Sequence, residues 1–215
     1  MRIAAIIWLL VVVAGDSFAA GGSSGATARP AAPTAQQRAE KQYEAGLRHR
    51  DRAWEHEKKA AAADKEKERL KRLEKAQKDF IKAVKAQRQA IELYPKYHQA
   101  HSSLGYALRR LGRYQEALAS YDRALELEPD YVEAIEYRAE AYLALGRYTQ
   151  TQQAYATLLR KNPDYAAQLL VAMRQWASSP AAPDSVLVDS AATKMREWIT
   201  QQTDKVADPA ADKTW

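Results

Sequence analysis

Between Gln36 and Tyr94 the chain has no proline and one glycine, Gly46, and its large apolar residues are sparse. Tyr43, Leu47, Trp54 and Ala61 make a thin early stripe, and Ala60 to Glu68 is nearly empty of large apolar side chains. From Leu70 the pattern tightens. Leu70, Leu73, Gln77, Phe80, Val84, Gln87, Ile91 and Tyr94 alternate steps of three and four, a seven-residue repeat with glutamine at two seam positions. Beyond Pro95 the periods shorten. His101, Leu104, Gly105, Leu108 and Leu111 share one helical face, and Gly112 ends that helix where φ must turn positive. Tyr114, Ala117, Leu118, Tyr121, Ala124 and Leu125 form the next stripe, which Pro129 stops. Every periodic segment is helical, so the pattern predicts an all-α protein.

Pro95, Pro129 and Pro163 are spaced at equal 34-residue intervals, each followed two residues later by a tyrosine: Tyr97, Tyr131 and Tyr165. Gly112-Arg113-Tyr114 returns as Gly146-Arg147-Tyr148, Leu111 as Leu145, Tyr121 as Tyr155, and Pro129-Asp130-Tyr131 as Pro163-Asp164-Tyr165. Two in-phase units follow, 98–131 and 132–165. Leu104-Gly105, Ala117, Tyr121 and Pro129 in the first, with Tyr142, Tyr155 and Pro163 in the second, resemble the tetratricopeptide repeat pattern. The departures are His101 and Ile135 for the tryptophan, Leu108 for a tyrosine, Arg138-Ala139 for Leu-Gly, and Thr151 for an alanine. The resemblance implies a short helical solenoid that binds other proteins.

Two units bury little, because about three are needed for a continuous core. The flanking segments should supply the missing layers. We read 36–97 as one long charged helix opened by a Thr34–Gln37 capping box. Its seam from Phe80 to Tyr94 should dock on the helix holding His101 and Leu104. A hairpin broken near Ala63-Asp64 is the alternative. A further reading makes Asp64 to Tyr97 a degenerate first repeat, with Phe80, Ala83, Ala90 and Pro95 in phase with Tyr114, Ala117, Ala124 and Pro129. The seam over 70–94 also suits self-association as a coiled coil. On the other side, 166–200 reads as capping helices. Tyr165, Leu169, Leu170, Met173 and Trp176 lie on one stripe, and Val188, Ala191, Ala192, Met195, Trp198 and Ile199 on another. Residues 201–215 read as a polar, frayed tail.

The formal net charge of +6 is concentrated. Residues 36–96 hold 18 basic and 11 acidic side chains, whereas 97–165 hold 8 and 9. The N-terminus is read as a signal peptide over 1–19. Arg2 precedes an apolar run from Ile3 to Ala14, and Ser17-Phe18-Ala19 offers a cleavage site after Ala19. An uncleaved anchor is the alternative. A Gly/Ala/Ser/Pro linker fills 20–35. The mature chain is therefore expected to be exported, most simply to a periplasm, and export argues against nucleic acid despite the basic balance.

No cysteine is present, which excludes disulfides and thiolate chemistry. No nucleophile elbow, phosphate-cradling loop or zinc motif is found, so neither catalysis nor a cofactor is expected. His98 and His101 stand three apart, but no further ligand accompanies them, and no metal is expected. The resemblance implies a groove lined by the first helix of each pair, which gives Gln99, Ser102, Tyr106, Arg109 and Arg110, then Glu133, Glu136 and Glu140. The three glutamates share one helical face and repel one another. Either Arg109 or Arg110 neutralises them internally, or a basic partner segment does. The lysines and asparagines of the family's carboxylate-clamp versions are missing at these positions. The function expected is a non-catalytic exported scaffold. The alternative is a structural envelope protein whose basic helix contacts an anionic lipid or wall-polymer surface.

Overall fold

The structure is a computed structural model that describes residues 32–179 and 190–207. The signal peptide and most of the linker, together with Val188 and the end of the tail, lie outside the described residues. Among the described residues there are eight α-helices and no strand: α1 (Ala35–Ala61), α2 (Glu66–Leu93), α3 (His98–Arg110), α4 (Tyr114–Leu127), α5 (Val132–Ala144), α6 (Tyr148–Lys161), α7 (Pro163–Ala177) and α8 (Ser190–Ala207). They stack as successive antiparallel pairs, each packed on the next.

The charged segment is a hairpin, so the single long helix is corrected. Thr34 opens α1 with a complete capping box: Gln37 N donates to Thr34 Oγ1 at 3.1 Å, and Thr34 N donates to Gln37 Oε1 at 2.8 Å. The chain turns at 62–65, next to the Ala63-Asp64 break. The decisive signal is a stripe of small residues. Ala39, Gly46, Ala53 and Ala60 recur every seven residues and are buried. They let α2 approach closely, with Ala76, Phe80, Ala83, Gln87 and Ala90 buried on its side. Inspection of large apolar residues alone passes over that stripe. A polar spot interrupts it. Asp79 is 7% exposed and faces His49 (3.2 Å), Arg52 (3.5 Å), Lys82 (3.6 Å) and His56 (3.8 Å). Burial would raise its carboxyl, but the His49 hydrogen bond and the charges of Arg52 and Lys82 outweigh burial and hold it below the usual range.

The hairpin is also the leading layer of the stack. A Cβ on Gly46 would sit 2.2 Å from Gln87 Nε2, and one on Gly105 would sit 2.6 Å from Tyr121 Cε1. Gln87 and Tyr121 are 34 residues apart, so the two close approaches are equivalent across the repeat. Gly46 and Gly105 are 59 apart, 25 more than the period. The extra residues lengthen the free ends of α1 and α2. The second helix of the degenerate-repeat reading is thus the last half of α2, while its first helix is α1 and not 64–77. The in-phase end of α2 packs as the seam requires: Phe80, Ala83 and Val84 share a core with Leu104, Ala107 and Leu108. The overhanging end does not. Leu70 is 54% exposed and Leu73 is 41% exposed.

The two true pairs turn alike. Gly112 has φ +74° and Gly146 φ +70°. Arg113 N bonds Leu108 O (2.9 Å) and Arg147 N bonds Tyr142 O (2.8 Å), closing the helix ends in Schellman fashion. Arg138 is accommodated by pointing outward, where it bonds Asp122 at 2.7 Å and lies over the Tyr142 ring. Pro163 departs from its equivalents. Asn162 caps α7 through its side chain, and Pro163 opens the helix directly, a position proline suits. Leu169, Leu170 and Met173 of α7 are buried with Met195 and Ile199 of α8. α8 continues to Ala207, seven residues past the point where fraying was expected.

Candidate functional site

The first helices of the pairs, α1, α3, α5 and α7, meet along one side of the stack. α3 and α5 carry the eight candidate residues. Gln99 is partly exposed, and Ser102 is buried at 3% exposure. Tyr106 is also buried. Its phenol oxygen accepts Trp54 Nε1 at 2.6 Å, and its ring meets Tyr137 edge-on at 5.0 Å. Arg109 donates to Glu140 Oε2 at 2.6 Å and lies over the Tyr106 and Tyr137 rings. Arg110 turns toward α1, where it pairs with Glu57 and covers Phe80. The two adjacent arginines therefore serve different layers, one joining α3 to α5 and the other α3 to α1.

The three glutamates meet three different fates. Glu133 accepts the Tyr165 hydroxyl at 2.9 Å. Glu140 is neutralised by Arg109, an internal ion pair with both partners largely buried. Glu136 is 4% exposed, and its Oε2 has no hydrogen-bond partner. Burial, then the charge of Glu140, pushes its carboxyl up to about 8. Ser102 and Glu136 therefore form the floor of this face, with Gln99, Glu133, Arg110 and the edge of Glu140 nearer its surface.

Tyrosines surround the carboxylates. Burial, then Glu133, raises Tyr131. Burial and the Glu133 hydrogen bond raise Tyr165, and burial followed by Glu136 raises Tyr137. Tyr43 of α1 is raised by burial and also feels Glu133. These phenols stay neutral at physiological pH and act as donors and flat contacts. The face ends in a depression of about 260 Å³ lined by Arg109, Glu140, Leu143, Ala144, Ala172 and Trp176. Sequence reasoning passed over Tyr131 and Tyr165, although their fixed place in the period marks both. Tyr43 and Trp54 lie on the elongated helix, which could not be phased against the repeats.

No group of three or more metal-ligating side chains converges among the described residues. His101 Nε2 bonds the Pro95 carbonyl at 2.9 Å, while the His98 ring packs edge-on against Tyr131 at 5.0 Å. The two histidines are thus used separately.

Comparison with known proteins agrees with the repeat. Residues 98–131 match a tetratricopeptide repeat family model, and residues 120–153 match a second one. The second window begins within α4 and spans α5, so it registers a junction between pairs. No curated protein matches the chain. Among solved structures, the Arabidopsis OM64 TPR domain is similar over 62% of this chain and 98% of its own, at 19% identity and a TM-score of 0.44. A thermophilic TPR protein of Thermus thermophilus, TTC0263, is similar over 65% of this chain and 80% of its own, at 23% identity and a TM-score of 0.42. The first TPR of Spaghetti, solved bound to an HSP90 peptide, covers 63% of this chain and 96% of its own, at 17% identity and a TM-score of 0.44.

Proposed function

We propose that the protein is a non-catalytic scaffold that binds a partner polypeptide across the α3–α5–α7 face. One observation carries this reading: the side of the stack where the first helices meet concentrates tyrosines, arginines and glutamates around the buried carboxyl of Glu136, one oxygen of which has no hydrogen-bond partner. Such a face combines flat amphipathic contacts with charge selectivity, which suits an interaction surface. The family-model matches over 98–153 favour the same class.

The reading places the protein outside the cytoplasm, on the strength of the leader pattern from Arg2 to Ala19. No helix among the described residues is long and apolar enough to cross a membrane. Anionic-surface contact by the hairpin is the weaker reading, because many of its cations are already committed. Arg69 pairs with Glu66, Arg72 with Glu68, Lys78 with Glu74, and Lys82 with Asp79.

A photocrosslinking amino acid placed at Gln99 tests the proposal, with one at Gln153 on α6 as the control. Both positions carry solvent-accessible side chains. A discrete partner band in intact cells from Gln99 and none from Gln153 supports the groove. Equal bands, or none from Gln99, overturn it.

A further inference from the structure

The first layer is longer than the helix that covers it. α2 has 28 residues and α3 only 13. α3 covers the α2 seam at Phe80 and Val84 and ends at Leu111. Ahead of Phe80 the seam continues in the same phase without cover. Glu66, Leu70, Leu73 and Gln77 hold its next positions, and all four are exposed. Leu70 and Leu73 line a depression of about 410 Å³ together with Ala76, Gln77, Phe80 and Leu111. Single surface leucines are ordinary, but two that prolong a buried seam and line an opening mark an interaction surface.

We propose that the overhang is covered by the same overhang of a second copy of this chain, paired antiparallel about a two-fold axis. The sequence of the stretch is complementary to itself in that arrangement. Leu70 of each copy falls opposite Leu73 of the other, and Glu66 falls opposite Gln77. Lys67 of each copy then lies beside Glu74 of the other. Lys67 has no ion pair among the described residues. Glu74 pairs with Lys78 on the exposed surface, and such a pair exchanges at little cost. α3 decides the direction. A parallel partner helix would run along the seam into α3, whereas an antiparallel one leaves past the hairpin turn and carries the second stack away. The patch is small, so the dimer is weak and exchanging.

The chain has no cysteine, so introduced thiols report the pairing directly. Lys67→Cys and Glu74→Cys are made as separate full-length proteins, mixed at equal millimolar-range concentrations and equilibrated in a glutathione redox buffer. The mixture should give about tenfold more covalent dimer than either protein alone, because only the 67–74 approach is within disulfide reach. Adding Leu70→Asp and Leu73→Asp to both proteins should bring the mixture down to the level of the separate proteins. Those side chains are exposed, so helical circular dichroism should be unchanged. No dimer from the mixture overturns the proposal and leaves the overhang to a helix of another protein. An equal yield from Lys67→Cys alone, or a yield that the leucine substitutions leave unchanged, also overturns it, and is the result expected if chains associate elsewhere. The outcome is independent of crosslinking from Gln99, so the groove and the dimer stand or fall separately.

Discussion

Replacing Glu136 by glutamine should make the protein more stable, and increasingly so as pH rises. The folded carboxyl titrates at about 8, far above its ordinary value of 4.5. Between these values the unfolded chain loses the proton while the folded chain keeps it. The native state then binds more protons than the unfolded state, so stability falls with rising pH. Each unit of displacement costs about 1.4 kcal/mol, giving a ceiling of roughly 5 kcal/mol by pH 8. Relaxation around the site lowers this, and about 2 kcal/mol is expected. Glutamine is nearly isosteric, cannot ionise, and keeps a hydrogen bond within reach of Glu140. The assay is urea unfolding followed by helical circular dichroism at pH 5, 6, 7 and 8 for both proteins. Other titrating groups act in both and cancel in the difference. The two stabilities should nearly coincide at pH 5 and diverge toward pH 8. Parallel curves would show that Glu136 ionises freely in the folded state.

Arg109→Leu leaves Glu140 and Glu136 buried without a cation, and should cost about 3–5 kcal/mol by the same assay at pH 7. Gly105→Ala drives a methyl into the buried Tyr121 ring and should cost about 1–3 kcal/mol. Gly46→Ala should cost less, because the obstructing Gln87 amide is the end of a movable side chain, and Gln87→Ala should restore the loss. Asp79→Asn should lower the thermal midpoint at pH 7 and have little effect at pH 3. The depressed carboxyl stabilises the fold above its unfolded-state value, and that contribution disappears as pH falls through the folded one. Deleting 35–94 uncovers Leu104 and Leu108, which pack on Phe80 and Val84, and should lower the thermal midpoint of what remains.

The central pairs were legible because their punctuation is local. Gly112, Gly146 and Pro129 act through their own backbone restrictions, and each marks its turn without reference to distant residues. The leading hairpin was harder to read. Its packing face is built of Ala39, Gly46, Ala53 and Ala60, which carry little hydrophobic weight and look like ordinary helix formers. Only the partner helix reveals that they are an interface. The acidic trio was readable as a face from its spacing. Its division into one arginine-paired, one tyrosine-bonded and one buried carboxyl depends on Arg109 and Tyr165, each supplied by a neighbouring helix.

The close approach of α1 and α2 also bears on how the chain acquires its shape. Among the described residues these helices make the most extensive contact of any pair, and they are joined by a turn of four residues. Contacts between neighbours in sequence form quickly, since little chain entropy is lost in closing them. During synthesis this layer emerges before the others. It can therefore act as a template on which each later pair condenses in turn, giving assembly a direction from the amino end toward the carboxyl end.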